Sequence, residues 1–188
     1  MSHKCLNVTI IGASPLLMHN GQMADPLNPW AVRMKSVSGK RAKVGVDHEE
    51  MARIEFLGSL YLQAGEPVIP GEIIEKALVE GGQTRRSGRK VRAAVLCDRN
   101  YRLNYDGPRA PEALWEDPRF RLRAPVVINR NRVMRTRPRF DHWSADIEIK
   151  YLPNMVDAKD LLDFLRIVGE QIGICDWRPR FGRFQLAA

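Results

Sequence analysis

Two segments of alternating side chains constrain the fold of this chain more than any other feature. Apolar residues alternate with arginines in Arg119–Ile128 and with polar residues in Trp143–Tyr151. A period of two residues is typical of half-buried antiparallel strands. Further strands are predicted at Leu6–Ile11 and at residues 183–188. The chain is therefore expected to contain an antiparallel sheet.

Two amphipathic helices separate these strands. Pro70 and Gly71 open the first helix, an apolar stripe follows, and Gly81 with Gly82 is predicted to end it. Asp157 caps the second helix, whose leucine, valine and isoleucine residues share one face. The order strand, helix, strand, strand, helix, strand is that of a ferredoxin-like or RRM-like βαββαβ core, which is an α+β fold.

The remaining segments are long connections inside this pattern. We predict a single domain over residues 1–188, with insertions at 12–67 and 82–118 and a basic, thumb-like hairpin connection at 129–142 between strands two and three. The sequence contains no recognisable membrane span or secretion signal, which predicts a cytoplasmic protein. Its three cysteines are far apart and have no nearby histidine, which supports neither a zinc site nor a disulfide framework. No metal or other cofactor is expected.

Positive charge is concentrated in the middle of the chain. Residues 85–139 hold 16 basic and 5 acidic side chains, a local excess of +11, and 15 of the basic residues are arginine. The planar guanidinium pairs bidentately with phosphate and stacks on bases, so this excess favours a nucleic acid as partner. A solvated basic surface or an acidic protein partner is the alternative.

Three groups of side chains are the candidate nucleic-acid contacts. The first group is Arg85, Arg86, Arg89, Lys90 and Arg92. The second group, in the predicted thumb, is Arg130, Arg132, Arg135, Arg137, Arg139 and Phe140. The third group, in the last loop, is Trp177, Arg178, Arg180 and Arg183. The arginines are expected on phosphates and the aromatic rings on bases.

The last loop and the sheet face differ in what they offer to a nucleic acid. In the loop GICDWRPRFGRF, glycines allow backbone N–H groups to approach a phosphate, while Trp177 and Phe181 either stack on bases or fill the core. The exposed face of the sheet is predicted to carry polar residues such as Asn7 and Asp146, without a stacking platform. Loops are therefore the expected binding surface.

Three segments carry a resemblance to a known family. SPLLMHNG follows the first strand, IPGEIIEKALVEG begins the first helix, and GICDWRPRFGRF precedes the last strand. They resemble the Ser-Pro-led loop, the IPGSSLKG helix-start motif and the C-terminal glycine-rich loop of the RAMP superfamily, the RNA-binding proteins of CRISPR systems. Residues 72–75 depart from the Ser-Ser-Leu-Lys part of the helix motif, and the last loop carries CDWRPR between its glycines. The layout is closest to that of effector-complex backbone subunits.

The resemblance implies a subunit that assembles head to tail along guide RNA, together with other ribonucleoprotein subunits, in antiviral defence. It also points to two candidate catalytic residues. His19 lies in the loop type where related CRISPR RNA-processing ribonucleases use a histidine, and Asp25 lies where some backbone subunits place a target-cleaving aspartate. A lone histidine is more often structural, and Asp25–Pro26 also begins ordinary turns.

We therefore expect a non-catalytic protein that binds single-stranded RNA without strong sequence preference. Single-stranded DNA remains an alternative ligand, because arginine–phosphate contacts do not read the 2′-OH. The alternative functions are an endoribonuclease of the RAMP type that uses His19, or a metal with Asp25, and a phage-type ssDNA-binding or assembly protein of the same fold. A membrane partner is not expected. The sequence contains no nucleotide-binding, serine-hydrolase or zinc-protease motif.

Overall fold

The computed structural model describes residues 2–187 and has an α+β architecture, as predicted. The strands within these residues are β1 (Lys4–Gly12), β2 (Leu16–Leu17), β3 (Leu62–Gln63), β4 (Glu66–Ile69), β5 (Val95–Leu96), β6 (Tyr101–Arg102), β7 (Arg121–Ile128), β8 (Asn131–Phe140), β9 (Ser144–Tyr151) and β10 (Phe184–Leu186). The α-helices are α1 (Pro29–Ser38), α2 (Gly45–Ser59), α3 (Gly71–Gln83), α4 (Gly88–Ala94), α5 (Pro111–Glu116) and α6 (Ala158–Ile167). None of the described helices is both long and apolar enough to cross a bilayer.

The described residues form two compact units. Unit 1 comprises residues 2–17, Pro67–Asp106 and residues 140–187. Unit 2 comprises Met18–Glu66 and Gly107–Arg139. Unit 2 thus contains most of the predicted insertion at 12–67 and most of the hairpin predicted at 129–142.

Unit 1 is built on a four-stranded antiparallel sheet in the order β10-β1-β9-β5. Strand β1 pairs with β9 from Lys4↔Tyr151 to Ile11↔Ser144. Alternate residues of β9 are buried against the core, whereas in β1 Ile10 is buried and Leu6 and Val8 are half-buried on the same face. The last strand, predicted at 183–188, is observed at Phe184–Leu186, and Ala188 lies outside the described residues.

Helices α3 and α6 supply much of the apolar core of unit 1. The carboxylate of Asp157 accepts the N–H of Asp160 at 2.8 Å, so the predicted cap of α6 is confirmed. The predicted end of α3 at Gly81–Gly82 is one residue short of the observed end at Gln83. A Cβ at Gly81 would meet the carbonyl oxygen of Phe164 at 2.7 Å. The glycine therefore allows α3 to pack closely against α6.

The predicted second strand of the core is wrong. Arg119–Ile128 was predicted as that strand, but β7 pairs with β8 along its whole length, and β5 lies next to β9 instead. Asn129 and Arg130 have φ values of 48° and 67°, the left-handed conformation that tight two-residue hairpin turns require. The hairpin is therefore longer than predicted, since it begins at the start of β7.

Helices α2 and α5 form the core of unit 2. The rings of Phe56 and Trp115 meet edge to face, with their centroids 5.5 Å apart. Helix α1 begins directly after Asn28. The side chain of Asn28 accepts the N–H of Trp30 at 2.9 Å, and Pro29 occupies the first helical position. These two local signals start α1 there.

Candidate nucleic-acid interface

The first predicted group of cations lies in the turn after α3 and on α4, in unit 1. The chain turns tightly here, with Arg86 in a left-handed conformation and the N–H of Ser87 bonded to the carbonyl of Gly82 at 2.8 Å. We call this group the corner cluster; its members are Arg85, Arg86, Arg89, Lys90 and Arg92. All five side chains are exposed.

The corner cluster has no counter-charge of its own. Within residues 2–187, no carboxylate lies within ion-pair distance of any of its five side chains. Some exposed cations elsewhere do have a counter-charge: Arg33 contacts Glu50 at 2.5 Å, and Arg166 contacts Asp163 at 2.7 Å. Unpaired positive charge concentrated at one corner attracts polyanions.

The second group lies on the hairpin formed by β7 and β8, in unit 2. Directly opposite residues share a face, so the pairs Arg123↔Thr136, Pro125↔Met134 and Val127↔Arg132 define one face of the ribbon. Away from the buried Thr136, the side chains on this face are exposed. Arg130 extends the exposed positive charge to the turn.

The root of the hairpin is held by Glu55 of α2. Its carboxylate accepts hydrogen bonds from Arg137 at 2.7 Å, from Arg135 at 3.2 Å and from the N–H of Thr136 at 2.9 Å. Glu55 and Arg137 are 8% and 5% exposed. A buried carboxylate with this many donors fixes the position of β8 on α2. Arg137 is therefore a structural residue, not a phosphate contact, which corrects the prediction made for it.

Three members of the second group, Arg135, Arg139 and Phe140, are less exposed than its other arginines. Arg135 and Arg139 are half-buried. Phe140 is fully buried within unit 1, where its ring packs edge to face on Tyr105 with centroids 4.8 Å apart. A ring without exposed surface is unable to stack on a base. The prediction of Phe140 as a stacking group is therefore wrong.

The last loop closes on itself through its glycines. Gly173 and Gly182 have φ values of 77° and 74°, and a Cβ at Gly182 would overlap the carbonyl of Ile174. Their N–H groups donate to the carbonyls of Val168 and Pro15, at 2.7 and 2.9 Å. These two N–H groups are thus already satisfied inside the protein. The predicted phosphate cradle of glycine N–H groups is not present.

The side chains of the last loop divide between paired and exposed groups. Arg178 is half-buried and forms an ion pair with Glu80 at 2.7 Å, whereas Arg180 and Arg183 are exposed. Trp177 and Phe181 are both half-buried, with ring centroids 6.0 Å apart. Both rings keep surface on which a base can stack.

The candidate catalytic residues lie apart from any assembled chemical site. His19 is exposed, and its backbone carbonyl accepts the hydroxyl of Tyr61. Asp25 uses its carboxylate to accept the N–H of Leu27 at 2.9 Å, which is an ordinary turn contact. No group of three or more potential metal ligands comes together among residues 2–187. Burial raises the pKa of the Cys175 thiol to about 12, so this cysteine stays protonated at neutral pH.

One arginine of the hairpin was missing from the predicted contacts. Arg123 lies on the exposed face of β7, one pleat along the ribbon from Met134 and Pro125. No partner for its side chain is found in the described part of the chain. The alternation in β7 predicted that the side chain of Arg123 points away from the core. The sequence did not show that Arg123 shares a face with Arg132, because the pairing of β7 with β8 was not predicted.

The chain was also compared with known proteins. No protein-family model matches it, and no curated protein matches it either.

Proposed function

We propose that this protein binds single-stranded RNA, without catalysis and without strong sequence preference, through its exposed arginines. The observation that carries the proposal is the corner cluster, which places five exposed cations in eight residues with no carboxylate partner in the described structure. Neutralising phosphates releases condensed counterions, so such a cluster binds nucleic acid strongly at low salt.

The hairpin supports the same proposal in unit 2. Its exposed face combines the guanidinium groups of Arg123 and Arg132 with the apolar side chains of Val127 and Met134, which are 69% and 49% exposed. Arginine contacts phosphate and stacks on bases, and apolar groups contact base faces. A single strand offers both kinds of surface at once, whereas a duplex hides its base faces.

We further propose that unit 1 has a ferredoxin-like core and that the chain is a RAMP-type subunit. The sheet order β10-β1-β9-β5 supports this, with β5 as the second strand and with α3 and α6 as the two crossover helices. The hairpin of β7 and β8 then lies between the second and third core strands, where the resemblance places a thumb.

The simplest test of the proposal is the absorbance of the purified protein at 260 and 280 nm. A guide-RNA binder is expected to copurify with nucleic acid, which raises the ratio of the two absorbances. Digestion with ribonuclease should then lower the ratio, whereas deoxyribonuclease should not. A preparation free of nucleic acid that also fails to bind added RNA would contradict the proposal.

Assembly of copies along one strand is the second part of the proposal. Unit 2 exposes the apolar residues Leu27, Val32, Val44 and Val46, each by between 54% and 85%, and exposed apolar side chains are suited to protein contacts. A head-to-tail contact that does not close generates an open stack. We expect light scattering to show particle size rising with RNA length. A complex that stays monomeric on a long strand would rule out stacking.

The absence of catalysis is tested at the two candidate residues. We expect that the wild-type protein leaves RNA intact with and without Mg²⁺, and that His19→Ala and Asp25→Ala bind RNA as tightly as the wild type. Both side chains lie outside the cation groups, so neither substitution removes a phosphate contact. Mg²⁺-dependent cleavage that Asp25→Ala abolishes would favour the endoribonuclease alternative.

A further inference from the structure

The open face of the sheet in unit 1 ends in a pocket of about 390 Å³. Its lining residues are Ile11, Gly12, Asn104, Tyr105, Asp106, His142, Trp143 and Ser144. The pocket is a shallow recess open to solvent, so a flat ligand can lie on it with one face exposed. None of these residues belongs to the groups of cations described above.

The floor of the pocket is a row of side chains in register. Ile11 lies opposite Ser144, and Ser144 in turn bridges to Asn104 through two backbone hydrogen bonds of 2.8 and 2.9 Å. Opposite residues point to the same face of a sheet, so an apolar side chain is followed by a hydroxyl and an amide. Ile11 is 48% exposed, whereas Ser144 and Asn104 are half-buried.

The polar side chains of this pocket are not used within the protein. Among the described residues, the side chains of Asn104, Asp106, His142 and Ser144 make no hydrogen bond or ion pair. The amide of Asn104 and the hydroxyl of Ser144 are reached by solvent, so both can form hydrogen bonds with a ligand that lies on the exposed isoleucine. Tyr105 is held at the rim by the buried ring of Phe140.

The charge of the pocket selects the class of ligand. It contains the carboxylate of Asp106 and neither lysine nor arginine, so it disfavours a phosphate. An apolar floor with amide and hydroxyl groups at its side suits a flat ring with hydrogen-bonding edges. A carboxylate accepts hydrogen bonds from an exocyclic amino group and repels a carbonyl oxygen in the same place.

We propose that this pocket is a nucleobase subsite that prefers an amino-bearing base, such as cytosine, over uracil. The ring lies on Ile11, its edge contacts Asn104 and Ser144, and Asp106 accepts from the amino group. This inference rests on the proposed function, because the base belongs to the bound single strand. It adds a modest base preference to contacts that are otherwise made to phosphates.

The test compares oligocytidylate with oligouridylate of equal length, which differ at the base edge while presenting the same backbone. By fluorescence anisotropy, we expect the wild type to bind the cytidine oligomer about fivefold more tightly. Asp106→Asn should remove this preference, and Ile11→Ser should weaken binding of both oligomers about fivefold. Leu96→Ser and Asn7→Ala, on the same sheet outside the pocket, are the matched controls and should change neither affinity.

The outcomes separate this inference from the proposed function. Equal binding of both oligomers by the wild type would overturn the base subsite and leave RNA binding intact. If neither oligomer binds, the proposed function fails. An NMR titration with the free nucleosides cytidine and uridine then tests whether the pocket binds a base. Shifts at the Ile11 methyl and Asn104 amide signals with cytidine would then support the pocket. No shifts with either nucleoside would overturn it.

Discussion

Glu55→Ala is expected to lower the free energy of unfolding by about 3–5 kcal/mol, the typical cost of removing one partner from a buried ion pair. The substitution leaves the guanidinium of Arg137, which is 5% exposed, without its counter-charge. It also leaves the N–H of Thr136 without its acceptor. Urea denaturation followed by circular dichroism measures this loss.

Glu50→Ala is the matched control, because Glu50 lies on the same helix and pairs with Arg33 at the surface. Solvent-exposed pairs contribute about 0–1 kcal/mol, so this variant should remain close to the wild type. Equal stabilities for the two variants would show that Glu55 does not hold the hairpin in place.

Replacing Arg85, Arg86 and Arg89 with alanine is expected to weaken RNA binding about 100-fold at about 0.1 M salt. Each phosphate contact on a single strand contributes a slope of ~0.7 in log affinity against log salt, so three contacts correspond to about two orders of magnitude at this concentration. The three side chains are exposed, and their removal should leave the melting temperature nearly unchanged. Filter binding paired with thermal melts measures both quantities.

The control for this variant removes the same net charge from arginines that already have carboxylate partners. Arg33, Arg119 and Arg166 pair with Glu50, Asp117 and Asp163. Alanine at these three positions should weaken binding far less, through the general field of the protein alone. Similar losses in the two triple variants would mean that net charge, not the corner cluster, attracts the RNA.

The sequence predicted those elements whose signals are local. The alternation of β9 and the cap at Asp157 each act within a few residues, and both were placed correctly. Strand β5 escaped prediction because two residues are too short to show a period, and its place in the sheet depends on pairing with β9. The packing role of Gly81 could not be predicted, because it depends on Phe164, far along the chain.

The candidate site was predictable in composition but not in detail. The exposure of the corner cluster could be predicted from its sequence, because five cations within eight residues cannot all be buried in an apolar core. The burial of Arg137 and Phe140 could not be predicted, because it depends on contacts with Glu55 and Tyr105, which are distant in sequence. The pocket beside Ile11 also escaped prediction, because it arises from two strands, β1 and β9, and from the bridge between Asn104 and Ser144.

The salt dependence of binding tests the central claim most directly. A fluorescent single-stranded RNA of about 30 nucleotides is titrated with the wild-type protein at three salt concentrations. If about six arginines contact phosphates, log affinity should fall against log salt with a slope near −4 per bound protein, from ~0.7 per contact. Binding that is indifferent to salt, or no binding at the lowest salt concentration, would contradict the assignment of this surface to a nucleic acid.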